Sequence, residues 1–314
     1  MKYKNIRYTP GGGAELVELS IDDPKPGEVQ VENTACGICS WDLQTFRTGS
    51  DSGFAAPPGH EGIGYVSKLG AGVTGVEVGQ RVVGGGFGRF RNTPVTRLYK
   101  VPDSNLGDQH WIVEPVSCVV TGIDCCELKA GQRLAMVGCG FMGLMMIQGL
   151  RGFGADQLIA LDIDDSRLKL AQEFGATECH NVGSDDFDSV KADLRTRGID
   201  VVVDTSGAQP GLDLATDIVK RAGLINLFGW MKGTVATFNP STWHGKAITI
   251  VNSSPGAQKR DPFPPAIRLI QNGVIDLKPL VTHVVPINEY SSFMGGVTSG
   301  GVPDYIKGVV SLSA

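Results

Sequence analysis

Two short runs near the N-terminus carry the side chains best suited to holding a metal. One is Cys36-Gly37-Ile38-Cys39-Ser40-Trp41-Asp42, and the other is Gly59-His60-Glu61-Gly62. A third candidate, Glu114-Pro115, follows further along. Thiolate, imidazole and carboxylate together suit zinc, and a catalytic zinc needs few protein ligands and one open position. Taken alone, Cys36-x-x-Cys39 could also be a redox pair or two buried thiols. No thioredoxin-like pattern surrounds it, so Cys36 reads as structural.

A different chemistry is written into Arg133 to Asp162. A short apolar run, Leu134 to Val137, meets Gly138-Cys139-Gly140-Phe141-Met142-Gly143, then a helical run, then a second apolar run ending at Asp162. Gly138 allows a tight turn, Gly140 lets the backbone approach a pyrophosphate, and Gly143 lets helix and strand pack closely. The phosphates would sit at the positive end of the helix that Phe141 and Met142 open. Asp162 lies 19 residues past Gly143, where a carboxylate can accept hydrogen bonds from an adenosine ribose. It would also repel a 2′-phosphate, which favours NAD over NADP.

These sites need elements to position them. Residues 1 to about 115 read as β-rich, with short β-branched runs between turn signals such as Pro24-Lys25-Pro26-Gly27 and Pro57-Pro58-Gly59. Val29-Gln30-Val31-Glu32 alternates as a half-buried strand should. After Glu114 the pattern changes. Helices are expected at 117–128, 141–153, 165–174 and 210–221, with strands at 157–162, 199–204, 223–228 and 247–251. Strands alternating with helices predict a parallel sheet covered on both faces, so the chain as a whole is α/β. The ends of two strands, Asp204-Thr205-Ser206-Gly207 and Phe228-Gly229, should face a dinucleotide at the carboxyl edge of that sheet. Residues 253–314 are mixed, with helices near 262–272 and 288–296 and a last strand near 305–311.

Composition excludes several classes. The net charge of −5, with no long run of one sign, gives no footprint for nucleic acid or an anionic membrane. The first residues lack the apolar core of a signal peptide, and the apolar run at 134–150 is too short and glycine-rich to span a bilayer. Seven cysteines, an odd number without a secreted framework, are expected to be free thiols in a reducing cytoplasm.

Together the metal-ligating motifs and the glycine unit make the chain resemble the zinc-dependent medium-chain dehydrogenases, the alcohol and polyol dehydrogenase superfamily, over essentially its whole length. Gly175-Ala176-Thr177-Glu178-Cys179 and Thr242-Trp243-His244-Gly245 also look like family segments. The resemblance implies a GroES-like catalytic domain, 1–115 and 253–314, around a Rossmann NAD-binding domain, 116–252. Zinc and nicotinamide would lie in the cleft between them, in a homodimer or homotetramer. It implies that Cys39 and His60, 21 residues apart, bind zinc, and that Glu61 is a ligand or exchanging ligand. Asp42 would orient the histidine. The remaining ligand position falls at Glu114, where glutamate binds directly or through water and looks more like the polyol branches. Arg167 matches a basic position near the adenosine, and Lys307 one near the pyrophosphate. Zinc would act as a Lewis acid on a small-molecule alcohol or carbonyl while hydride passes to or from the nicotinamide.

The chain departs from the family pattern twice. The hydroxyl residue usual two positions after the zinc cysteine is Trp41, and the histidine three further on is Gln44, so the usual proton relay is absent. Trp41 should instead narrow the pocket, and Phe54, Phe87 and Phe90 hint at an apolar or ring-bearing substrate. The four-cysteine structural-zinc lobe is also missing, because 81–113 contains no cysteine; one zinc per chain is expected. Two other readings stand beside the zinc- and NAD-dependent dehydrogenase. One is a metal-free quinone or enone reductase of the same fold; the other is a non-catalytic dinucleotide-binding sensor.

Overall fold

The computed structural model describes residues 1–52, 57–229 and 235–313. The chain runs through β1 (Lys2–Tyr8), β2 (Ala14–Ser20), β3 (Glu28–Gly37), α1 (Ser40–Thr48), β4 (Glu61–Leu69), β5 (Arg81–Val83), β6 (Phe90–Pro94) and α2 (Val113–Cys126). Next come β7 (Arg133–Val137), α3 (Phe141–Leu150), β8 (Gln157–Asp162), α4 (Asp165–Glu173), β9 (Glu178–Asn181), α5 (Phe187–Arg197) and β10 (Ile199–Asp204). The remainder is α6 (Gln209–Ile218), β11 (Val219–Leu227), α7 (Pro240–Lys246), β12 (Thr249–Asn252), α8 (Phe263–Gln271), β13 (Val281–Pro286), α9 (Tyr290–Thr298) and β14 (Lys307–Ser311). Two compact units result: Met1–Val116 with Phe263–Ala314, and Ser117–Pro262. The second junction lies ten residues beyond the expected 252/253.

The first unit is the GroES-like one. Its sheet has the order β13-β14-β3-β4-β5, with β6 also on β3 and β1-β2 as a separate hairpin. The pairs are antiparallel except β13 with β14. β3 is not the half-buried strand its alternation predicts. It is bonded to β4 on one edge and to β6 and β14 on the other, and Gln30 is buried as fully as Val29 and Val31 beside it. Gln30 Nε2 donates to the Asp22 carbonyl and to Asn92 Oδ1, both at 3.2 Å, while its Oε1 has no hydrogen-bond partner among the described residues. A polar side chain at the centre of a sheet needs such partners.

The second unit is a six-stranded parallel sheet of order β12-β11-β10-β7-β8-β9, the Rossmann arrangement. The order reverses between β7 and β10, which makes the carboxyl ends of those strands a topological switch point. Ala135, Val137, Ile159, Leu161, Val202 and Ile225 of the strands pack on Phe187, Leu194, Ala215 and Ile218 of α5 and α6. Sequence reading left out α5, although Phe187, Val190 and Leu194 recur at helical spacing along it. α4 starts at Asp164, whose side chain accepts from the Ser166 and Arg167 N–H groups. It stops before Gly175, at φ +115°. No helix among the described residues is long and apolar enough to cross a membrane.

Candidate metal centre and nucleotide turn

In the first unit, Cys39, His60 and Glu61 bring one ligand atom each to within 4.8 Å of one another. Two local structures achieve this. Cys39 caps the N-terminus of α1, and Asp42 bends back so that its Oδ2 accepts the Cys39 N–H at 2.8 Å, a reciprocal capping arrangement. His60 immediately precedes β4, and Glu61 opens it. The turn before them depends on Gly59 at φ +69°, where a Cβ would press into Phe87. Asp42 also reaches this turn, its Oδ1 accepting the Gly59 N–H at 3.0 Å. One buried carboxylate thus fixes the backbone at both ligand positions. Burial pushes the Asp42 pKa up against these hydrogen bonds and against His60 nearby.

Glu61 is 2 % exposed and faces Gly37 across the β3–β4 ladder. A Cβ at Gly37 would collide with the Glu61 carboxylate, so the glycine makes its room. The carboxylate Oε2 forms an ion pair at 2.5 Å with Lys307 Nζ, itself 5 % exposed. Lys307 arrives on β14, held to the metal loop by the Ile38 N–H on the Gly308 carbonyl at 2.9 Å. Burial pulls the lysine pKa down, but Glu61 and then Cys39 beside it outweigh this together and hold it above the usual lysine range. Lys307 was expected beside a pyrophosphate. The ammonium pairs with Glu61 in its own unit.

The donor set fits zinc. The Cys39 thiol is pushed up to about 12, first by burial and second by the Glu61 carboxylate, against the pull of Lys307 and the Trp41 backbone N–H. A thiol so placed becomes a thiolate when a cation is supplied, and this is the charge balance a metal ion provides. Glu114 sits half-buried in the first turn of α2 and is not a member of the three-residue group. Cys36 is buried, its thiol directed at the Gly37 and Gly85 carbonyls. Trp41 and Gln44 are half-buried on α1. Phe87 and Phe90 correct the idea of an aromatic pocket wall: both are core residues, Phe87 at 0 % and Phe90 at 8 % exposure. Phe54 lies outside the described residues.

The second unit forms the glycine turn at the carboxyl end of β7. Gly138 has φ +94°, and a Cβ there would meet Thr205 Oγ1 and the Ser206 N–H. A Cβ at Gly143 would collide with the Gly138 carbonyl. Gly140 caps α3, and no atom of the described residues lies within 4 Å of where its Cβ would be. Phe141 is buried and Met142 half-buried at the helix start. Asp162 ends β8 at 7 % exposure. Its Oδ2 accepts the Cys139 N–H at 2.5 Å and its Oδ1 the Asp164 N–H at 3.0 Å. Arg167 Nε stands 3.6 Å from Asp164.

The neighbouring strand ends serve the scaffold. Thr205 Oγ1 donates to the Gly138 carbonyl at 2.6 Å and so braces the turn, a role its sequence gave no sign of. Ser206 donates both N–H and O–H to Asp204 Oδ1, at 2.9 and 2.6 Å. Gly229 is a glycine because a Cβ would collide with the Gly207 N–H. The Phe228 ring covers Gly122 of α2 so closely that a Cβ there would lie 2.6 Å from it, so this side chain is committed to packing.

Comparison with known proteins agrees with both halves. Residues 25–103 match the family model described as alcohol dehydrogenase GroES-like domain, and residues 142–272 the one described as zinc-binding dehydrogenase. The chain is 28% identical to an L-threonine 3-dehydrogenase from Pyrococcus horikoshii, over 88% of this chain and 90% of that protein. It is 27% identical to the (R,R)-butanediol dehydrogenase of Bacillus subtilis, over 86% and 89%. Among solved structures, an Escherichia coli oxidoreductase/dehydrogenase of unknown specificity superposes with a TM-score of 0.89 over 100% of both chains at 23% identity.

Proposed function

The chain belongs to the zinc-type medium-chain dehydrogenase/reductase superfamily, and from that premise we propose that it interconverts a secondary alcohol or polyol and the corresponding carbonyl compound, with zinc and NAD. The observation that carries this reading is the meeting of Cys39, His60 and Glu61 ligand atoms within 4.8 Å. Zinc, when bound, would supply the Lewis acidity that polarises the reacting oxygen. Cys39 and His60 are its protein ligands. Glu61, paired with Lys307, would be the third available donor. Glu114, outside the group, acts through water. Trp41 contributes a wall and no hydroxyl, so residue 41 carries no proton.

The glycine turn and the N-terminus of α3 receive the pyrophosphate. The Asp162 carboxylate supports NAD over NADP, since its unused lone pairs accept the ribose hydroxyls and its charge opposes a 2′-phosphate. The half-buried Arg167 covers the adenosine. By analogy with the family the assembly is a homodimer or homotetramer, which light scattering reads directly.

The test is metal content per chain by mass spectrometry, in parent and Cys39→Ala protein, followed by turnover of a secondary alcohol and polyol panel with NAD and with NADP. About one zinc in the parent, its loss in the variant and a preference for NAD are expected. A parent that takes up no zinc, even when supplied, would move the metal-free reductase to the front. Zinc without turnover on any alcohol would favour the sensor.

A further inference from the structure

Asp42 is 0 % exposed, and a buried carboxylate persists as a charge only with enough donors. It has three. The Cys39 and Gly59 N–H groups anchor the two ligand loops. The third donor is the Tyr8 hydroxyl, 2.8 Å from Oδ1 and 34 residues away in sequence. With its proton committed to Asp42, Tyr8 can only accept from its other neighbour, the Tyr290 hydroxyl at 2.8 Å. The chain therefore runs one way, from Tyr290 to Tyr8 to Asp42. Both phenols are buried, Tyr8 at 5 % and Tyr290 at 0 % exposure. The Tyr290 ring packs on Phe87 with centroids 4.9 Å apart. The Phe87 N–H closes on the Pro58 carbonyl at 3.2 Å, just ahead of His60. Burial, with Asp42 adding to it, holds both phenols above their ordinary range, so they stay donors.

We propose that Tyr8 and Tyr290 are positioning residues of the metal centre: their hydrogen-bond chain holds the Asp42 carboxylate in the orientation that clamps the Cys39 and Gly59–His60 backbones together, and so sets zinc affinity. The proposal rests on the zinc reading above. Among the described residues the side-chain hydrogen bonds of the two tyrosines run to each other and to Asp42, so the proposed effect passes through Asp42. Polar groups behind metal ligands typically govern affinity ten- to a hundredfold.

The test compares the full-length parent with Tyr8→Phe and Tyr290→Phe, which keep the rings and delete only the hydroxyls. Zinc dissociation constants come from competition with a chromophoric chelator. The absorption of the cobalt-substituted protein reports ligand geometry, and thermal melting of the metal-free protein reports folding. Tyr8→Phe is expected to weaken zinc about tenfold and shift the cobalt spectrum, with Tyr290→Phe a few-fold weaker in the same direction. A core control, Met294→Ala, is buried in the same cluster but outside the chain of hydroxyls. It should lower the melting temperature and leave zinc affinity unchanged. Zinc affinity within about twofold of the parent in both phenylalanine variants overturns the proposal, as does an equal loss in Met294→Ala. If Tyr8→Phe does not fold, Tyr290→Phe decides alone. A parent that binds no zinc defeats the functional reading itself, and is recognised before any variant is compared.

Discussion

The metal group and the glycine turn are built by opposite means. The first gathers side chains from separate segments: Cys39 from the cap of α1, His60 from the turn before β4, Glu61 from its first residue, Lys307 from β14. Glu61 and Lys307 are buried and paired, while Cys39 and His60 are half-buried beside them. The second is one contiguous stretch shaped by the side chains it lacks, at Gly138, Gly140 and Gly143. Charge balance governs the first and steric clearance the second. A substitution should therefore damage one site through electrostatics or the other through contact, and not both.

The sharpest way to break this comparison is a crossed experiment. Cys39→Ala should lose zinc and at least about a thousandfold in turnover, the several kcal/mol of a Lewis acid, while NAD still binds by calorimetry. Gly143→Ala, whose new methyl meets the Gly138 carbonyl, should lose NAD binding and about 1–3 kcal/mol of stability to overpacking while zinc stays at parent content. Loss of both ligands in either variant would contradict the division.

A second experiment sharpens the electrostatic half. Lys307→Met leaves the Glu61 carboxylate buried without its cation. Metal-free protein should lose about 3–5 kcal/mol in urea unfolding, and added zinc should recover part of it. A change below about 1 kcal/mol would mean that the pair is not desolvated as the structure has it.

The smallest effect concerns an ion pair away from both sites. Glu178 is held down to about 2, chiefly by its hydrogen bonds to Arg197. A carboxyl with a depressed folded pKa stabilises fully above its unfolded value near 4.5, and the contribution is lost as pH falls through about 2. Glu178→Gln should cost about 1 kcal/mol at neutral pH after solvent screening, and the difference from parent should vanish by about pH 2. A pH-independent difference would assign the loss to packing.

The same contrast explains what was legible in the sequence. The glycine turn is local, so its strand, glycines, helix and terminal acid could be read in order, and β8 and β10 fall at the residues expected. The metal ligands could be read only as two motifs whose spacing suits one ion. What supports them could not. Tyr8 and Tyr290 are 282 residues apart with no shared pattern. Lys307 has the right charge for a phosphate, and only the pairing of β14 with β3 shows it against Glu61. Phe87 and Phe90 misled because aromatic residues suit a pocket wall and a core alike. Gln30 misled because alternation is blind to segments distant in sequence, here those of Asp22 and Asn92, that meet the side chain.

Asp162 has an evolutionary consequence. The carboxylate proposed to meet the ribose also latches the turn, accepting the Cys139 N–H and the Asp164 N–H. A mutation that welcomed a 2′-phosphate by removing this acid would leave the Cys139 N–H, inside the glycine turn, without its acceptor. On the proposed role of Asp162, a single substitution that removed its side-chain acceptor would alter the turn as well as the nicotinamide preference. A lineage changing it would pass through a loosened turn unless a second change reached Cys139 first.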